Sequence, residues 1–261
     1  MAGPVTTGRV LAAEWTKLTG LRSSLWVGLS TVAAAACLAW ALGLFVRAAD
    51  GHVAATVVAS GYLLAQLGAL VLGVLVGTGE FVAGTFRATF TAVPRRLLVL
   101  AAQVLVTAAV ALVTAVAALL VSLLVTTGQR SALGLTIDVA DPETLRVLTG
   151  YVLYLTGVAL LGLGLGALLR RPTGALVSGV MLLVVIDQVL VTNPGRLTDT
   201  ARALLPGSAT RLLQDDSRLA TLDATTLGPH LGPWGSALVL GVWVVALLLA
   251  AGYRLRRHDL A

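Results

Sequence analysis

The stretch that decides the fold is LLVLAAQVLVTAAVALVTAVAALLVSLLVTTGQ, residues 97–129, which contains no Asp, Glu, Lys or Arg. A hydrocarbon core of about 30 Å is crossed by about 20 helical residues, so this run spans a bilayer with length to spare. It is one of six. Charge-free stretches also run over 23–46, 51–79, 147–169, 172–186 and 224–253. The fifth is short, and it reaches spanning length by continuing through Asp187 to Gln188, Val189, Leu190 and Val191. The spans are expected near 24–46, 55–79, 98–124, 149–169, 173–191 and 234–253.

Composition agrees. Of the 261 residues, 57% are apolar and 11% are charged, and mean hydropathy is +0.94. Soluble domains carry about 25% charged residues. This chain has too few to cover a water-facing surface, which excludes a soluble enzyme, a disordered chain and a coiled coil. The fold class is an all-α integral membrane domain occupying 1–261. The first span exceeds the roughly 7–15 apolar residues of a signal-peptide core, and five further spans follow it.

Six spans place both termini on one side, and the basic residues say which. With the termini cytoplasmic, the inner segments hold 11 basic residues (Arg9, Lys17, Arg22, Arg87, Arg95, Arg96, Arg170, Arg171, Arg254, Arg256, Arg257) against three acidic, a balance of +8. The outer segments hold seven basic against nine acidic, Asp187 included, a balance of −2. The net charge of +6 therefore describes orientation, and no basic stripe suited to nucleic acid is present. Trp26 and Tyr253 fall at inner ends, and Trp40, Tyr151 and Trp234 at outer ends, as interfacial aromatics do. Cys37 is the single cysteine, so no intrachain disulfide can form, and His52, His230 and His258 lie too far apart in sequence for a ligand motif.

Three segments outside the spans carry information. In the leader, Leu11, Trp15, Leu18 and Leu25 recur at helical spacing, with Arg9, Glu14, Lys17 and Arg22 on other faces. That pattern suits an amphipathic helix in the cytoplasmic interface, with Trp15 at the headgroups. Between spans 2 and 3, Val82, Phe86, Phe90 and Val93 repeat at four, four and three residues, with Thr85, Arg87 and Thr89 opposite. This reads as a short amphipathic helix, ended by Pro94 and anchored by Arg95 and Arg96. The outer segment 192–233 is punctuated by Asn193-Pro194-Gly195, Leu205-Pro206-Gly207 and Gly228-Pro229. Short helical stretches are expected between these, at Thr200 to Leu205 and Ser208 to Leu213, packed back on the membrane.

Taken together, the chain resembles the permease subunits of ABC-2 type transporters, in particular small bacterial exporters. The resemblance rests on the leader Leu11-Ala12-Ala13-Glu14-Trp15-Thr16-Lys17-Leu18 through Leu21-Arg22-Ser23, and on the loop residues Gly79-Glu80, Gly84-Thr85 and Pro94-Arg95-Arg96. The six-span layout, the Leu204-Leu205-Pro206-Gly207 stretch and the basic C-terminus add to it. It implies residence in the bacterial cell membrane and a working unit of two permease copies or paralogues with two soluble ATPase subunits. The loop would be a coupling helix touching the ATPase through Glu80, Phe81, Gly84, Thr85, Phe86, Arg87, Phe90, Pro94, Arg95 and Arg96. ATP and Mg²⁺ would belong to that partner.

The chain itself offers no ATPase motif. The phosphate-binding string G-x-x-x-x-G-K-[ST] needs a Lys, and Lys17, the only one, lies between Thr16 and Leu18. Gly162-Leu163-Gly164-Leu165-Gly166-Ala167 matches a dinucleotide-binding string but lies inside a span. Gly73 with Gly77 and Gly162 with Gly166 are instead small-xxx-small pairs, suited to helix packing within the subunit or at a dimer seam. Gln66, Gln103 and Asp187 are the candidate intramembrane polar site; such groups are costly in lipid. So few of them favour an apolar or amphipathic cargo. Readings from other classes are a membrane-embedded lipid-modifying enzyme, which would need acids and His clustered at one membrane face, and an immunity or structural protein without an ATPase.

Overall fold

The computed structural model describes residues 7–20, 22–46, 53–82 and 96–257. Among these, every regular element is helical, and six helices are long and apolar enough to cross a membrane. The protein is a multi-pass membrane protein. A leader helix, Thr7–Gly20, precedes the spans, and a helical cap lies between the fifth and sixth.

The first span is Arg22–Gly43, three residues shorter at its end than 24–46 implies. The second departs most from the expectation of one helix over 55–79. It begins as Ala54–Ala59, turns at Ser60 and Gly61, and restarts as Tyr62–Val82. Gly61 packs directly on the Ala35 backbone, where a Cβ would collide with the Ala35 carbonyl group. Ser60 supplies the other half of the break, because its Oγ donates to the Val57 carbonyl at 2.7 Å and competes with the helical ladder.

The third span, Arg96–Val125, is the longest. Beyond its end, the short helix Thr127–Ala132 brings Arg130 back over the last turn. The guanidinium donates to the Leu123 carbonyl at 2.9 Å and to Thr126 Oγ1 at 3.2 Å. A buried cation thus satisfies a carbonyl that the helix end leaves open.

The fourth span, Pro142–Leu169, starts seven residues before the expected 149. Its start has a full capping signal: Asp141 Oδ2 accepts the Thr144 N–H at 2.8 Å, Pro142 opens the helix, and Glu143 lies in the first turn. It ends at Arg170, which adopts the left-handed conformation (φ 58°) and donates its N–H to the Gly166 carbonyl. Arg171 is extended, and Pro172 begins the fifth span. That span runs Pro172–Val180, passes through a π turn at Met181–Val185, and finishes as Ile186–Val191. The sixth, Gly232–Arg257, extends beyond 234–253 at both ends.

The second and fourth spans form the centre. Of the residues in their most apolar stretches, 50% and 61% are buried, against 17–33% in the other four spans. The core runs along them through Leu70, Val74, Tyr151, Tyr154, Leu155 and Val158, with Leu240, Val244 and Leu247 of the sixth span on one side and Ala111, Ala115 and Ala118 of the third on another.

Candidate functional site

Four groups of residues singled out above lie in different parts of this fold. The leader packs on the beginning of the third span, where Val10 shares a small buried cluster with Val99 and Ala102. Its buried stripe is Val10, Glu14 and Leu18, each nearly inaccessible, with Leu11 beside it. The sequence reading set Glu14 on a face other than that of Leu18, and here the two share the buried stripe. Residues four apart share a face, and packing against a helix rather than a flat membrane surface selects the 10-14-18 stripe over 11-15-18. Glu14 is 6% exposed, and Lys17 Nζ reaches back to its Oε1 at 2.8 Å, so a buried carboxylate meets a cation whose stem lies half in solvent. Trp15 stays on the open side, 48% exposed, and Arg22 begins the first span.

Of the loop residues, Glu80 and Phe81 belong to the last turn of the second span, and Arg96 opens the third. Gly84, Thr85, Phe86, Arg87, Phe90, Pro94 and Arg95, and with them the expected coupling helix, lie outside the described residues.

The four glycines lie inside the subunit. Gly73 and Gly77 face the fourth span, where a Cβ on Gly73 would collide with the Ala159 carbonyl and one on Gly77 would come within 2.9 Å of Ala167 N. Gly162 and Gly166 face back: a Cβ on Gly162 would sit 2.6 Å from the Leu70 carbonyl oxygen, and one on Gly166 would sit 3.0 Å from that of Val74. The two spans touch backbone to backbone, so these surfaces are already covered within one chain.

The polar residues of the spans do not form one site. Gln66 is buried, and its Oε1 accepts the hydroxyl of Tyr154 at 2.6 Å; Tyr62 stands edge-on to the Tyr154 ring, centroids 6.1 Å apart. Gln103 is buried in the third span. Asp187 turns outward to the cap, where Arg202 Nε donates to its Oδ1 at 3.0 Å with both side chains partly exposed. No hydrogen bond joins the three.

Residues 192–233, expected on the outer side, form a folded cap. It consists of Arg196–Ala203, a 3-10 helix Pro206–Leu213, and Asp216–Thr225. The first two overlap the expected stretches, with the first moved about four residues earlier; the third was not foreseen. Gly207 seats against the Leu183 carbonyl at the π turn, and Leu212 fills the space over Gly150. Trp243 of the sixth span donates its indole N–H to the Leu204 carbonyl at 2.9 Å. Polar latches complete the attachment. Arg146 Nη2 meets Asp216 Oδ1 at 2.7 Å, and Glu143 accepts the Asp216 N–H at 2.5 Å. Asp199 accepts the Leu227 N–H at 2.9 Å, and Asp215 caps the last cap helix through the Arg218 N–H at 2.7 Å. Arg211 and His230 both bond Asp223. Burial pushes that carboxyl up, but the His230 hydrogen bond and the Arg211 charge outweigh it and hold the group below its usual range. The acids of residues 192–233 were the sequence signal for these latches, because Asp199, Asp215, Asp216 and Asp223 each have a basic or backbone partner.

No protein-family model matches the chain, and no curated protein is recognisably similar to it.

Proposed function

We propose that this chain is the permease subunit of an ATP-driven exporter of the ABC-2 kind in a bacterial cell membrane, working as a dimer with a separate ATPase. One observation carries the reading: the leader helix packs on the first turns of the third span, which is where the Glu80 to Arg96 loop ends. The leader thus lies at the helix end to which the loop leads in the sequence, and the charge balance assigns both to the cytoplasmic side.

The loop's other end is the second span, which packs backbone to backbone on the fourth. A displacement imposed on the loop would move the second span, and the second span cannot move without the fourth. A partner that closes on ATP and pulls the loop would therefore act on the centre of the bundle rather than on its edge. Cargo of apolar or amphipathic character would be expelled or drawn from the bilayer by that motion. ATP and Mg²⁺ act in the partner.

The test is co-purification with a soluble ATPase encoded beside this chain. Phe86→Asp and Arg87→Glu should each abolish recovery of the ATPase while leaving the membrane-inserted yield unchanged. Undiminished recovery would overturn the docking assignment. Reporter fusions after Arg96 and at the C-terminus should read cytoplasmic, and one near Ala220 external; a reversal at any of them removes the proposed orientation.

A further inference from the structure

At the arginine-bearing end of the bundle the third and sixth spans meet through a buried cluster of Leu100, Ala251 and Leu255, and beside that contact their exposed faces leave a space between them. A groove of about 950 Å³ opens to the bilayer there, walled by Leu100, Val104 and Leu105 of the third span and Leu248, Leu249 and Gly252 of the sixth. Gly252 sets its floor, since a Cβ there would come 3.3 Å from Leu97 Cδ2 and lift the wall. Neither helix carries an acid.

The sequence places arginines at this end of both helices. Val245, Leu249 and Tyr253 follow one line along the sixth span at steps of four. The helix continues to Arg257, so its register carries position 257 onto that line and position 256 onto the line of Leu248 and Gly252. Arg254, at the same end but on the face toward the fourth span, gives a guanidinium N–H to the Leu168 carbonyl. Arg96 is the first residue of the third span. Arginine positions thus stand at this end of both helices, beside a groove whose lining is aliphatic apart from Tyr253.

We propose that this groove holds an anionic phospholipid of the adjacent leaflet, with its acyl chain against Leu100, Val104 and Leu249 and its phosphate at the arginine rim. Basic pockets between spans at the membrane surface select anionic headgroups, each cation adding attraction. A second copy of the chain fits less well. A two-fold seam puts the same patch on both partners and would bring Arg254, Arg256 and Arg257 of both copies side by side.

The test is native mass spectrometry of the full chain in detergent, titrated with phosphatidylglycerol and with phosphatidylcholine of the same acyl chains. The wild-type chain should favour phosphatidylglycerol by roughly tenfold or more. Arg256→Gln with Arg257→Gln should reduce that preference to about twofold, and Ala101→Trp, which fills the groove, should remove the tight lipid adduct altogether. Arg170→Gln with Arg171→Gln, on another inner turn, should leave the preference intact. Equal binding of the two lipids overturns the proposal. So does an Arg170/Arg171 effect as large as that of Arg256/Arg257, or an Ala101→Trp protein that still binds phosphatidylglycerol. A chain dimer that Ala101→Trp dissolves, with no lipid preference, assigns the groove to a second copy instead.

Discussion

The fourth and fifth spans follow one another with only Arg170 and Arg171 between them, and the mean hydropathy of their most apolar stretches is the same, 2.2, yet 61% of the one stretch is buried and 17% of the other. In water such a pair would be sorted by hydrophobicity. In lipid it is not, because tails are as apolar as Leu and helices associate through close packing. The difference lies in the glycines. Those of the fourth span at 150, 157, 162 and 164 each meet a neighbour closer than a Cβ would allow (Leu212, Leu240, Leu70 and Leu247), and Gly166 leaves only 3.0 Å to the Val74 carbonyl oxygen. The fifth span has Gly174 in open space, and its one close glycine, Gly179, comes within 2.6 Å only of the movable end of the Leu70 side chain. One span is a backbone surface that others press against; the other shows its large side chains to the bilayer, as Val177 and Val189 do.

The strongest way to break this comparison is to exchange glycine for alanine in both spans. At Gly162 the new Cβ meets main-chain atoms of Leu70 and Val74, which cannot rotate away. Overpacking of this kind costs about 1–3 kcal/mol and sometimes more. Gly162→Ala should lower the thermal midpoint of the detergent-purified protein sharply or abolish folded yield. Gly174→Ala touches nothing and removes a flexible helix position, so it should be neutral or stabilising by up to about 1 kcal/mol. Similar losses from both would show that the glycines do not distinguish the spans.

A second, smaller effect separates the spans by their polar groups. Tyr154, on the fourth, is fully buried with its hydroxyl on Gln66. Gln66→Leu strands that hydroxyl, and a buried donor without a partner costs about 1–3 kcal/mol. Adding Tyr154→Phe should restore much of the loss, since removing both partners removes the orphan. Asp187, on the fifth span, pairs with Arg202 with about a quarter of each side chain exposed. Such a pair contributes about 0–1 kcal/mol after screening, so Asp187→Asn should shift the midpoint little, and added salt should shrink the shift further. A double-mutant cycle for each pair reads the two coupling energies directly.

How much of this was legible follows from the same contrast. The number of spans is written in charge-free runs, and their ends could be placed to within a turn except where capping or packing intervened. Asp141-Pro142-Glu143 is a helix start that hydropathy overlooks because it is polar. The break at Gly61 is invisible in a run of apolar residues, because only the Ala35 backbone beside it makes the turn necessary. The glycine pairs were legible as packing elements, but which helices they join was not. Glu14 was misplaced because helical spacing alone cannot say whether an amphipathic helix meets lipid or another helix. Gln66, Gln103 and Asp187 were grouped by polarity, which carries no information about which side of a span each occupies. Residues 83–95 carry the sharpest sequence hypothesis and lie outside the described residues, so the coupling loop rests on its pattern.

The smallest expected effect is in the cap that joins the two kinds of span, and it depends on pH. Asp223 bonds Arg211 and His230 and titrates below the usual carboxylate value. A carboxyl whose folded value is depressed contributes stability above its unfolded value and loses it as pH falls through the folded one. For Asp223 the window opens near the ordinary value of 3.8 and extends below it. The helix Asp216–Thr225 should then hold its amide protection unchanged at neutral and mildly acid pH and lose a little of it at pH 3 relative to pH 6. Asp223→Asn removes the charge at every pH, so its cap should be slightly less protected throughout and show no such step. Comparing hydrogen exchange of the two proteins at matched pH cancels the intrinsic rates. Because the side chain is 37% exposed, water competes for the carboxylate, and the cap's attachment rests on Gly207 at the π turn, Leu212 over Gly150, and the Trp243 bond to Leu204. If acid instead releases the whole segment, the ion pairs hold the cap and that packing is secondary, and the distinction between a span that packs and a span that merely borders lipid would not extend to the outer surface.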